Sequence, residues 1–238
     1  MTVHAFDVRK AYGEFTLSIS DFRVHDGQAL GLVGNNGAGK TTFLRLVLDL
    51  IQTDAGHVSI DGTAVTQATD WKTRTASFLG DSFLIDFLTP DEYWRFVGAT
   101  YELAPEEVDA RLDAFRNFYT DEPIGATTKY IRDLSQGNRN KVGLVGALLV
   151  EPDLLVLDEP FASLDPRSQI QLKTMLEARR GTATMLISSH DLGHVTDVCE
   201  RIAILEGGTI VRDEPTDADT LTALKRYFAE TIRPREAA

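Results

Sequence analysis

Apolar and polar positions follow two periods along this chain, and the segments between them carry turn residues. Thr16-Leu17-Ser18-Ile19-Ser20 alternates polar and apolar, as a half-buried strand does. Residues 2–33 read as strands joined by turns, with His25-Asp26-Gly27-Gln28 as one turn and Gln28–Val33 as a short buried strand. Thr42–Ile51 then carries a broad apolar face at helical spacing. Period two returns in His57–Gly62, which ends in an Asp-Gly turn, and in Thr75–Leu79.

Helical signals dominate the middle of the chain. Thr89-Pro90-Asp91-Glu92 is a capping box with Pro at the first helical position, and it predicts a helix to about Leu103. Pro105 opens a second helix through Phe115, with Glu106 and Glu107 suited to its dipole. Residues 84–135 thus read as a helical insertion into an α/β chain. After Leu134-Ser135-Gln136-Gly137-Asn138 an apolar helix runs through Val150, until Glu151-Pro152-Asp153 breaks it. Leu154–Leu157 and Ala183–Ile187 are buried strands, separated by a helix from Pro166 to Arg179. Strands near Ile202–Leu205 and Thr209–Val211 flank Gly207-Gly208, and a helix from about Asp217 to Ile232 closes the chain.

Composition narrows the class. The 238 residues suit one large domain or two closely joined ones. A net charge of −12 argues against a general nucleic-acid binder, so no nucleic-acid partner is expected. Cys199 is the single cysteine, which excludes an intrachain disulfide, suits a reducing compartment and fits a small buried side chain. The N-terminus lacks the basic and apolar regions of a secretory leader. No uncharged apolar stretch approaches the roughly 20 residues that span a bilayer. A soluble protein is expected, with any membrane role supplied by a partner.

Chemistry concentrates in a few stretches. Gly34-Asn35-Asn36-Gly37-Ala38-Gly39-Lys40-Thr41-Thr42 fits G-x-x-x-x-G-K-[ST] between a strand and a helix, the context a phosphate-binding loop requires. Its glycines let backbone N–H groups curl around phosphate oxygens. Lys40 offers a point charge to the β- and γ-phosphates, and the Thr41 hydroxyl suits Mg²⁺. Asp158 and Glu159 stand at a strand's carboxyl end, where α/β sheets bind ligands. One can hold Mg²⁺ through water and the other can polarise an attacking water. Tyr12 offers a ring upstream of the loop, either for packing or for stacking on a base. His190-Asp191-Leu192-Gly193-His194 only superficially resembles a zinc-protease helix, because Asp replaces the Glu base and His190 follows a strand.

Together these stretches resemble the ATP-binding cassette (ABC) ATPases over nearly the whole chain. Leu134–Asn138 is similar to the family's LSGGQ signature, Ser163-Leu164-Asp165 to its D-loop, His190 to its switch histidine and Tyr12 to its adenine-stacking aromatic. The resemblance implies an α/β fold: a P-loop NTPase core with an antiparallel β subdomain and an α-helical insertion. It places the core in 1–83 and 151–238 and a mainly helical part in 84–150, ending in the signature helix. It also implies ATP and Mg²⁺ as ligands. Two cassettes would pair head-to-tail, with Ser135, Gln136 and Gly137 of one reaching the γ-phosphate held by the other. Glu159 would be the general base, and His190 would orient the water. Where the family usually carries Gln the nearest residue is Asp81, close enough in register to approach Mg²⁺ or water. Gln136 and Asn138 also depart from the signature, while Ser135 and Gly137 are retained.

One cassette without a membrane span implies a separate integral-membrane permease, which selects the substrate and holds the cassette at the cytoplasmic face of the membrane. Leu88–Tyr93 and the sparse tail look most like exporter cassettes. A homodimer is the simpler expectation, with a heterodimer open. The second reading is a soluble ABC-type ATPase in a non-transport assembly. A phosphate-loop kinase or GTPase ranks last, since those lack the LSxGx signature.

Overall fold

In the computed structural model, which describes residues 1–231, two sheets and a group of helices form around the phosphate loop. The four-stranded antiparallel sheet has the order β2-β1-β4-β5, built from Val3–Tyr12 (β1), Phe15–Val24 (β2), Ala55–Ile60 (β4) and Thr63–Ala64 (β5). The six-stranded sheet has the order β10-β9-β3-β8-β7-β6. Its members are Ala29–Val33 (β3), Thr75–Phe78 (β6), Leu154–Asp158 (β7), Thr184–Ser189 (β8), Arg201–Glu206 (β9) and Thr209–Pro215 (β10). All pair in parallel except β10, which runs antiparallel to β9. Parallel strands need covered faces, and the sequence supplies apolar residues on both.

Alternation divides the core in two. Leu155 and Leu157 of β7, Met185 and Ile187 of β8 and Ile202 and Ile204 of β9 point into one cluster. That cluster also holds Trp94, Phe115, Tyr119, Val142 and Leu144. Leu154, Val156, Leu186, Ala203 and Leu205 point the other way, toward Phe43, Leu44, Val47 and the antiparallel sheet residues Val3, Leu17 and Val58. A one-residue slip in any of these strands would exchange its two faces.

Seven helices lie among the described residues: Lys40–Val47 (α1), Pro90–Thr100 (α2), Pro105–Leu112 (α3), Gln136–Leu149 (α4), Pro166–Glu177 (α5), Leu192–Val198 (α6) and Thr220–Thr231 (α7). The capping box forms as expected: Thr89 accepts from the Glu92 amide, and Glu92 accepts from the Thr89 amide at 2.8 Å. Trp94 of α2 is fully buried, stacks edge-on against Tyr119 and donates to the Val142 carbonyl of α4 at 3.0 Å.

Several helix boundaries differ from the sequence reading, and three of them have a plain local cause. α1 stops at Val47, short of Ile51, because Asp49 takes a left-handed φ of 54° and ends the helix. α2 stops at Thr100, where Glu102 is left-handed and the Leu103 amide returns to the Gly98 carbonyl. α4 begins at Gln136, inside the signature, since Ser135 is its N-cap and accepts from the Asn138 amide at 3.3 Å. The expected end of the last helix, Ile232, lies outside the described residues. Cys199 is buried, and burial pushes its thiol up to about 12.

Candidate nucleotide site

The phosphate loop joins β3 to α1, so its amides open toward a cleft at the carboxyl ends of the parallel strands. This cleft, of about 440 Å³, is lined by Asn35, Asn36, Gly37, Ala38, Gly39, Lys40, Thr41 and Thr42, with Phe15 and Glu159. Gly39 is required on two counts. It has φ +108°, and a Cβ there would stand 2.9 Å from Phe15 Cζ.

Lys40 is buried and folds back over its own loop, donating to the Gly34 carbonyl at 2.7 Å. Its ammonium also lies 3.3 Å from Glu159 Oε1, a buried oxygen with no hydrogen bond. The second Glu159 oxygen accepts from the His190 amide at 3.2 Å and meets His190 Nδ1 at 2.8 Å. Glu159 therefore stands between the loop lysine and His190. Its own φ of 49° is a left-handed backbone that non-glycine residues seldom adopt, and such strain gathers at functional positions.

Thr41 donates to Asp158 Oδ2 at 2.5 Å, and Ser188 donates to the other Asp158 oxygen. The same Ser188 hydroxyl accepts from the Glu159 amide at 2.9 Å. β3, β7 and β8 are parallel neighbours, and this adjacency brings Thr41, Asp158, Glu159 and Ser188 together from three distant segments.

Two sequence-predicted residues stand elsewhere. Tyr12 is half exposed at the turn end of the β1–β2 hairpin, opposite Phe15, and Lys10 Nζ lies 5.5 Å from its ring. Phe15, not Tyr12, lines the cleft. Asp81 meets Arg139 Nη1 at 3.4 Å, and no hydrogen bond or ion pair joins it to Thr41 or Asp158.

The signature occupies its own edge. Ser135, Gln136 and Gly137 form the cap and first turn of α4. Gly137 packs so closely under the D-loop that a Cβ would fall 2.7 Å from the Ser163 carbonyl oxygen. Ser163 is itself left-handed at φ 61°. Asn140 donates to the Ala162 carbonyl at 2.9 Å, and Lys141 pairs with Asp165 at 3.2 Å. Asp165 caps α5, and the Ser168 hydroxyl and amide hold its carboxyl well below the usual range.

Several of these partners were not singled out by sequence: Phe15, Ser188 as the link between Asp158 and Glu159, and Asn140 and Lys141 behind the signature. For Ser188 a signal existed in Ser188-Ser189-His190 at a strand end. Phe15 carries none beyond its place after a Gly-Glu turn. His194 stacks on Phe161 with centroids 4.5 Å apart, and its Nδ1 lacks a hydrogen bond. No group of three or more His, Cys, Asp and Glu side chains able to hold a metal occurs among the described residues.

The chain is similar to known proteins in sequence and in fold. The family described as "ABC transporter" matches residues 17–162, more than half of the chain. A Nod factor export ATP-binding protein I of Cupriavidus pinatubonensis is 31% identical over 217 residues, covering 88% of this chain and 65% of that protein. A sulfate/thiosulfate import ATP-binding protein CysA of Mycobacterium tuberculosis is 31% identical over 244 aligned positions, covering 97% and 69%. Among such relatives the chain spans as little as 53% of the other protein's length. A solved ATP-binding subunit of an ABC transporter superposes with a TM-score of 0.80 at 26% identity, covering 100% of this chain and 96% of the other. With the fold, the loop and the family match in agreement, the chain belongs to the ABC transporter family and carries its ATP-binding cassette fold.

Proposed function

We propose that this chain binds and hydrolyses ATP and thereby powers a separate membrane permease. The observation that carries the reading is the continuous set Thr41–Asp158–Ser188–Glu159–His190 around Lys40, all at one mouth of the sheet. The residues fit the ligand. The loop is an open cradle of amides, and Lys40 sits over that loop where phosphate oxygens would replace its carbonyl partners. The buried Glu159 oxygen without a hydrogen bond is a ready acceptor for a water proton.

Thr41 and Asp158 would hold Mg²⁺, which supplies positive charge to the phosphate oxygens when bound. Lys40 would spread the charge that grows on the γ-phosphoryl group. Glu159 would orient the attacking water and accept its proton, with His190 fixing the carboxylate's direction through the 2.8 Å contact. Tyr12 pairs across the hairpin turn with Phe15, which forms the cleft wall, and in this reading its exposed ring would stack on the base.

A second copy would complete the site. In this reading the Gln136 and Gly137 amides, at the N-terminal turn of α4, are free to meet the γ-phosphate held by the partner. The helical part spanning 84–150 would carry that signature against the core. No helix among the described residues is long and apolar enough to cross a membrane, so the pathway would come from another chain. Phe83 and Phe87 expose half or more of their surface, and the exposed Tyr130 precedes Ile131, whose amide bonds the Leu88 carbonyl beside Phe87. An exposed aromatic patch of this kind suits a protein partner. Export is the direction we propose, from the Leu88–Tyr93 segment, and the site would lie at the cytoplasmic face of the membrane.

Turnover by the purified chain, with and without Glu159→Gln, tests the enzyme. Substitution should cut hydrolysis about 10²–10⁴-fold while ATP binding persists. Unchanged turnover removes Glu159 from the role of base. Tagged Glu159→Gln protein with ATP, captured from detergent-solubilised host membranes, tests the partner. A polytopic membrane protein is expected; only soluble companions would move the chain to a cytosolic assembly.

A further inference from the structure

Arg139 sits in the first turn of α4 and makes two contacts that no motif requires. Its Nε donates to the Leu134 carbonyl at 3.1 Å, the peptide just before the signature Ser135. Its Nη1 reaches Asp81 Oδ2 at 3.4 Å. Asp81 opens the short 3₁₀ turn Asp81–Phe83, which follows β6 by two residues, and β6 is the parallel neighbour of β7. One guanidinium therefore ties the signature turn to the edge of the sheet that ends in Asp158. Both side chains are about one-third exposed, so the pair contributes little to folding but fixes direction.

Further along α4 this segment is held by the packing of Gly137 against Ser163 and by Asn140 and Lys141, but the start of the turn has fewer restraints. Ser135 Oγ binds the Asn138 amide, the Arg139 amide binds the Ser135 carbonyl, and Asn138 Nδ2 binds Asp121 at 2.9 Å. Nothing else among the described residues anchors the Leu134 carbonyl from outside the turn.

We propose that Arg139 and Asp81 are positioning residues: together they aim the Gln136 and Gly137 amides at the phosphate bound by a second copy of this chain. Asp81 thereby acts on the signature and not on the metal. The inference rests on the head-to-tail pairing proposed above. Arg139 acts only through the placement of those amides, and nucleotide binding by the chain's own Lys40 loop does not depend on it. Two copies of the pair operate in each dimer, so a modest effect at one is doubled in free energy.

The test uses full-length Glu159→Gln protein, alone and with Arg139→Ala, Arg139→Lys or Asp81→Asn. Three quantities are read: the dissociation constant of a fluorescent ATP analogue for the single chain, the ATP concentration giving half-maximal dimer by sedimentation, and hydrogen exchange at the Asn138 amide. Arg139→Ala and Asp81→Asn should raise the half-maximal ATP concentration about tenfold, with single-chain affinity changed less than about twofold. Arg139→Lys should fall between, because an ammonium on a flexible stem cannot hold both partners in a fixed fork. A dimerisation midpoint within twofold of the parent overturns the proposal, whatever the melting temperature does. Should the parent form no dimer with ATP, the pairing model fails, and exchange then decides on positioning alone. Faster exchange at Asn138 in Arg139→Ala and Asp81→Asn upholds it; unchanged exchange overturns it.

Discussion

The nucleotide cleft and the signature edge of this chain are built on opposite plans. In the cleft the amides of the loop are open, but the reactive side chains are paired with one another: Lys40 with the Gly34 carbonyl and Glu159, Thr41 and Ser188 with Asp158, Glu159 with His190. At the signature edge the side chains are braced by Asn140, Lys141 and Arg139, while the Gln136 and Gly137 amides, in the first turn of α4, have no partner within the helix. A site that pairs its own charges can hold its shape before substrate arrives. A site that leaves helix N-terminal amides open is complete only when something anionic docks there. On the pairing proposed above, the difference separates where the chain would stand alone from where it would need a second cassette.

Four substitutions sharpen that contrast, from the largest expected effect to the smallest. Trp94→Ala removes a fully buried indole and its bond to the Val142 carbonyl, and should cost about 3–5 kcal/mol in denaturant unfolding. The loss falls on the support of α4, so any residual folded protein should bind ATP yet hydrolyse it poorly. Lys40→Ala should weaken single-chain ATP affinity by about 30-fold or more, since charge-assisted bonds to phosphate are lost; calorimetric titration measures it. Equal affinity for both proteins would deny the cleft its independence.

Gly137→Ala is the counterpart at the other edge. Its added Cβ meets the Ser163 carbonyl, so the signature turn must shift. Turnover should drop about tenfold or more, the size expected when oxyanion donors are displaced, with single-chain ATP affinity unchanged. Were affinity to fall in parallel with turnover, the two regions would not be separable as described.

The smallest effect concerns acid. Burial holds the His194 imidazole below its ordinary value of 6.5, so the folded chain favours the neutral ring against Phe161. That stabilisation is present above the unfolded value and is lost as pH falls through the depressed folded one, because the unfolded chain takes up the proton more readily. As pH falls below about 6.5, melting temperatures of the parent should therefore decline more steeply than those of His194→Phe, which keeps the ring stack without the titration. Parallel curves would remove His194 from the acid response.

Much of this organisation is legible in local sequence, and the physical reason differs by element. Phosphate-loop geometry depends on glycines within nine residues, so Gly34–Thr42 declares itself. The Thr89–Glu92 capping box closes within four residues and forms as read. Strands β3, β7 and β8 are continuous apolar runs because both faces of a parallel sheet are covered. Helix ends were less readable. The stops of α1 and α2 depend on left-handed Asp49 and Glu102, residues with no glycine-like signal. α4 starts inside the signature because Ser135 acts as a cap, a role visible only with its partner amide.

Short-range patterns suffice for the kind of chemistry: a Gly-rich anion cradle, a lysine, a strand-end carboxylate pair and a histidine. Which of these groups touch depends on how distant segments pack. Parallel neighbours β3, β7 and β8 bring residues 41, 158 and 188 within bonding distance, although more than 100 positions separate the first two. The same packing gave the cleft wall to Phe15 and turned Asp81 toward Arg139. Residue type restricts what a side chain can do; the packing of distant segments selects the partner with which it does it.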